Sequence, residues 1–201
     1  MGRATTRRHL PSLAFTAALV AVLLLAALAF VYLGAYNVAA DAPHTSPVRA
    51  LLDSVRDRSI AVRARAIVPP ADLASPERLT AGAGLYAEMC ASCHLGTGVG
   101  RSELSQGLYP PAPDLARGSR LSAAEQFWII KHGVKLTAMP AWGKTHSDPL
   151  IWNMVAFVRR LPGMSPAEYQ RLVASAPASH DAMMRDMRER QDGHGHEHGG
   201  H

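Results

Sequence analysis

Cys90-Ala91-Ser92-Cys93-His94 places two thiols and an imidazole within five residues. At this spacing each thiol can add to one of the two vinyl groups of a haem. The adjacent histidine then lies under the porphyrin, where it can bind the iron. C-x-x-C-H is the attachment signature of c-type haem. A zinc ribbon would need two further ligands at similar spacing, and the chain has only these 2 cysteines. A thioredoxin-like dithiol would need a βαβ context, and the flanks here read as helix and loop. The motif therefore points to one covalent haem on Cys90 and Cys93, with His94 on the iron.

A six-coordinate iron needs a second ligand opposite His94. Downstream candidates are His132, His146 and several methionines. Met139 lies in the stretch Gly133 to Trp142, followed by Pro140. A loop methionine next to proline can project its sulfur without helical constraint. Met154 falls on an apolar helix face and reads as core, and Met164 falls after the last long helix. Met139 is the reading taken, with His132 its competitor on general metal-ligand grounds.

These residues must be positioned by helices. Ser75-Pro76-Glu77 opens one, with an N-cap and a first-turn proline, and it runs into the haem motif. Residues 96–118 are rich in glycine and proline and read as loop. Ser122 and Glu125 form a capping box before FWIIKHG, which stops at Gly133. Asp148-Pro149 starts LIWNMVAFVRRL, and Ser165-Pro166 starts a further short helix. No strand alternation is visible, so the expected fold is all-α: a small domain around one haem, whose bulk supplies much of the core.

Upstream, Leu13 to Leu33 is uncharged and about 20 residues long, enough to cross a bilayer. Arg3, Arg7 and Arg8 precede it, and the first charge after it is Asp41. The positive-inside rule then puts the N-terminus in the cytoplasm and the rest outside. The rival reading is a signal peptide cleaved after Val38-Ala39-Ala40, although an apolar region of about 7–15 residues is usual there. Val48, Leu51, Leu52, Val55, Ser59 and Val62 recur at helical spacing among arginines, which suggests an amphipathic linker helix on lipid or against the globular part. The expected organisation is an anchor over 1–40, a linker helix and spacer over 41–74, a haem domain over 75–173, and a tail over 174–201. The net charge of +5 is a mild basic bias. Lys and Arg are not clustered with aromatics, so no nucleic-acid partner is expected.

Residues 75–165 resemble the class I monohaem c-type cytochromes, in their membrane-anchored bacterial form. Gly82 and Tyr86 stand eight and four residues before Cys90, as the family's glycine and aromatic do. Met154 and Phe157 match its C-terminal helix, and Ala138-Met139-Pro140-Ala141-Trp142 matches its ligand loop. The resemblance implies that the two terminal helices cross at the glycine, because a missing Cβ lets backbones approach. Ala112-Pro113-Asp114-Leu115 resembles the family's G-P-x-L with alanine for glycine. That match implies that the Pro113 carbonyl accepts the proton on the outer nitrogen of His94, fixing the ring.

With His94 and Met139 both on the iron, no position is open for substrate. Such ligation also raises the reduction potential. The expected function is a periplasmic single-electron carrier tethered to the bacterial inner membrane through residues 13–33. It would serve a membrane-bound dehydrogenase or oxidase, passing electrons towards a terminal oxidase. Lys131, Lys135, Lys144 and Arg120 are candidates for a basic rim that steers an acidic partner. A peroxidase-like enzyme is the less favoured reading, because the resembling bacterial peroxidases carry two haem motifs. The tail sustains another alternative, a copper-related or other metal-handling role. There His180, Met183, Met184 and Met187 share helical spacing, followed by His194, His196, His198 and His201, and imidazole and thioether suit copper.

Overall fold

The computed structural model describes residues 12–176. They form two units that divide between Ala42 and Pro43. The first contains one helix, α1 (Leu13–Tyr32), whose N-cap Ser12 accepts a hydrogen bond from the Phe15 amide at 3.2 Å. At 1.5 Å per residue it is about 30 Å long, the thickness of a bilayer's hydrocarbon core. None of its residues is buried, so nothing in this unit covers its apolar surface.

The second unit contains α2 (Ser46–Ala64), α3 (Pro76–Met89), α4 (Ala91–His94), α5 (Glu103–Gly107), α6 (Ala123–His132), α7 (Asp148–Arg160) and α8 (Pro166–Ala174). Short 3-10 turns lie at Leu115–Arg117 and Trp142–Lys144. No β-strand forms among the described residues. The helix starts follow the capping chemistry in the sequence. Ser75 Oγ accepts from the Arg78 amide. The Ser122 amide donates to Glu125 Oε2 at 2.8 Å while the Glu125 amide donates back to Ser122 Oγ at 3.2 Å. Residues 96–118, expected as loop throughout, include α5. Its start is set by Ser102, whose Oγ accepts from the Ser105 amide at 2.9 Å.

The core is the crossing of α3 and α7, with α6 and α8 packed beside it. Leu85 and Tyr86 of α3 are fully buried against Ile151, Met154, Val155 and Phe157 of α7, and the Tyr86 and Phe157 ring centroids are 5.2 Å apart. Gly82 sits at the crossing. A Cβ there would lie 2.8 Å from the Asn153 carbonyl carbon and 2.9 Å from Phe157 Cβ. Only glycine allows this approach.

α2 packs against α6 and belongs to the same compact unit. Its buried face differs from the expected one. Ile60 and Ala64 are buried, whereas Leu51, Val55 and Val62 are exposed. The seam follows residues four apart toward the helix end, where the small Ala64 allows close approach. Apolar spacing could not choose between two overlapping stripes. The helix also ends at Ala64, five residues before Pro69. Arg3, Arg7, Arg8 and the tail positions His180, Met183, Met184, Met187, His194, His196, His198 and His201 lie outside the described residues.

Candidate functional site

α3 delivers its C-cap, Cys90, to the interior, and the single turn α4 follows at once. Within it the His94 amide donates to the Cys90 carbonyl at 2.8 Å. Cys90 is buried and Cys93 half-buried. Leu95 then takes φ 61°, the left-handed region, and turns the chain away. Tyr86, buried on α3, donates its hydroxyl to the Leu95 carbonyl at 2.6 Å. This role was not readable from sequence, which showed only an aromatic one turn before Cys90. The bond holds an unfavourable backbone conformation beside the histidine.

His94 Nδ1 lies 2.9 Å from the Pro113 carbonyl oxygen. A carbonyl only accepts, so Nδ1 carries the proton and Nε2 keeps its lone pair. Burial pushes the His94 pKa below the ordinary imidazole value of 6.5, outweighing the upward pull of the Pro113 bond. The ring is therefore neutral at pH 7, the form that can bind a metal.

Met139 is held by a closed loop. Gly133 caps α6 at φ 67°, and a Cβ there would lie 2.7 Å from the Met139 carbonyl oxygen and 2.8 Å from the Pro140 carbonyl carbon. The loop thus folds back over the helix end, where the Val134 amide donates to the Met139 carbonyl at 3.2 Å. Thr137 Oγ1 donates to the Val134 carbonyl at 2.8 Å and accepts from the Met139 amide at 3.1 Å.

Cys90, Cys93, His94, Pro113 and Met139 line one cavity of about 500 Å³, with Trp142 also on its wall. The competing ligand candidates are elsewhere. His132 is exposed at the end of α6, its ring 5.0 Å from that of Trp128. His146 is buried, with Nδ1 2.9 Å from Thr145 Oγ1, and does not line the cavity. Met154 and Met164 are buried in the core and do not line it either.

Residues 77–158 match the family model for cytochrome c oxidase, cbb3-type, subunit III. That segment is similar to a c-type cytochrome domain. Over 124 residues, 58% of the chain, the protein is 31% identical to the cbb3-type cytochrome c oxidase subunit FixPc of Rhizobium leguminosarum bv. viciae. The chain spans 39% of the length of that relative. No solved structure matches it.

A cytochrome c domain carries covalently bound haem c, and the residues present fit one. The cavity has a volume in the range of cofactor sites and brings two thiols, a neutral imidazole and a thioether to one space. Burial, with a smaller contribution from Cys93, pushes the Cys90 thiol up to about 12. Its sulfur is thus neutral and buried, unsuited to a solvated thiolate and compatible with a thioether.

Of the four cations in the expected basic rim, Lys131 is already engaged. Its Nζ lies 2.6 Å from Asp148 Oδ1 and 5.5 Å from the Phe127 ring centroid. Lys135, Lys144 and Arg120 are exposed. Among the described residues no group of three or more His, Cys, Asp or Glu side chains is arranged to hold a metal ion.

Proposed function

We propose that this chain is a membrane-tethered electron-transfer cytochrome that works with a cbb3-type cytochrome c oxidase as its subunit or direct electron partner. The observation that carries the reading is the convergence of Cys90, Cys93, His94 and Met139 on one cavity inside a domain matching that oxidase family. Bound haem c supplies a one-electron couple. Cys90 and Cys93 would hold it by thioether bonds. His94 would bind the iron through Nε2, its ring orientation fixed by the Pro113 carbonyl. Met139 would supply the second protein ligand, so the site would pass electrons without binding substrate. Trp142 packs at the cavity wall beside the ligand loop.

The tether is α1, which is long and apolar enough to cross a membrane once. The arginines that precede the helix support a periplasmic cytochrome domain. Tethering raises the effective concentration of a membrane partner. Lys135, Lys144 and Arg120 supply the exposed positive charge for docking, without Lys131. A membrane dehydrogenase or cytochrome is the corresponding donor.

The test is oxidation of the reduced full-length protein by membranes from the same cell. Rapid oxidation that slows as salt screens the docking charges is expected. Steady turnover with peroxide in the absence of membranes would replace this reading with a peroxidase.

A further inference from the structure

Gln126 is 7% exposed on α6, and its Oε1 has no hydrogen-bond partner. It lines the haem cavity. A buried amide oxygen without a partner costs about 1–3 kcal/mol, so such a group in a cofactor cavity points to the cofactor. Haem is apolar apart from its iron and its two propionate carboxylates. Other polar groups on the wall are already committed. Thr137 Oγ1 is bonded within the Met139 loop, and Ser119 Oγ accepts from the Leu121 amide at 3.2 Å.

The helix packed on α6 brings a cation to the same cavity. Arg56 of α2 lines it, together with Asp57 and Ile60, and lies outside the segment that matches the cytochrome family. Its Nε donates to Asp57 Oδ1 and its Nη1 to Asp53 Oδ1, each at 2.8 Å. A guanidinium has five N–H donors, so donors remain after both bonds. The two aspartates fix the fork, and Asp57, the one carboxylate among the residues lining this cavity, is itself engaged by the guanidinium. The Gln126 amide can turn about its last bond to present either N–H₂ or oxygen.

We propose that Gln126 of α6 and Arg56 of α2 form the polar seat of a haem propionate. α2 is then a functional wall of the haem site rather than a spacer between membrane and domain. The seat holds the carboxylate by an amide hydrogen bond and a facing cation. Arg56 offsets the negative charge that Asp53, Asp57 and the propionate place there, and losing it would favour the ferric state, so Arg56 raises the reduction potential. This rests on the cavity's being the haem site.

The test compares Gln126→Leu, Arg56→Gln and Arg56→Lys in the full-length, haem-loaded protein in detergent. The readouts are covalent haem content, spin state, midpoint potential and the propionate bending band in resonance Raman. Gln126→Leu should move the propionate band while the haem stays covalent and low-spin. Arg56→Gln should shift the oxidised-to-reduced ratio about tenfold toward oxidised at fixed potential, about 59 mV for one electron. Arg56→Lys should restore most of that shift. Covalent low-spin haem with an unmoved band in Gln126→Leu overturns the seat, as does an unchanged potential in Arg56→Gln. Wild-type protein purified without haem would instead overturn the reading of the cavity itself.

Discussion

Gly82→Ala is the sharpest perturbation of the frame that holds the site. The added Cβ would meet the backbone of Asn153 and the Cβ of Phe157, at 2.8 and 2.9 Å from the atoms given above. Neither can rotate away, so α3 and α7 must separate. Overpacking of this kind costs about 1–3 kcal/mol. The upper end applies, because the obstruction is helix backbone and the residues around it are fully buried. Alanine returns about 1 kcal/mol of helix propensity. The expected net loss is therefore about 2 kcal/mol. With a urea m-value of about 2 kcal/mol/M, the unfolding midpoint falls by about 1 M. The assay is urea unfolding of the haem-loaded protein, followed by the fluorescence of its 3 tryptophans, all of which lie in the cytochrome domain. Gly107→Ala is the control, because a Cβ there meets nothing within 4 Å. A Gly82→Ala midpoint equal to wild type, with the control also unchanged, would refute the close-crossing argument.

Tyr86→Phe should destabilise the domain by about 1 kcal/mol, because the partly buried carbonyl of the left-handed Leu95 loses its donor; urea unfolding measures it, and a more labile His94–iron bond should accompany it. Lowering the pH should also weaken the fold. The folded His94 pKa lies below 6.5, so the unfolded state takes up a proton first. With Nε2 on the iron the folded ring stays unprotonated, so the stability it contributes is full above about 6.5 and is lost as pH falls and the detached imidazole takes up a proton, which unfolding midpoints of the haem-loaded protein from pH 7 to 4 would show.

Much of the site was legible in the sequence because its chemistry is local. The thiol spacing, the adjacent histidine, the capping box at Ser122 and the Met-Pro loop after Gly133 each depend on neighbouring residues; the capping box forms, and Cys90, Cys93, His94 and Met139 line one cavity. The less legible features depend on contacts between segments far apart in the chain. Lys131 looked like a docking cation until Asp148, seventeen residues on, was found beside it. The buried face of α2 was set by α6 and not by the helix's own strongest apolar stripe. Gln126 gave no signal at all, since a glutamine in the first half of an amphipathic helix usually faces solvent. Only its burial and its unpartnered oxygen mark it.

Carbon monoxide binding to the reduced full-length protein tests the central claim most directly, because it asks whether both axial positions are filled by His94 and Met139. Wild type should remain low-spin and fail to bind carbon monoxide rapidly, while Met139→Ala should retain covalent haem, become at least partly high-spin and bind it readily. Rapid binding by wild type, or an unchanged low-spin spectrum in Met139→Ala, would contradict the account.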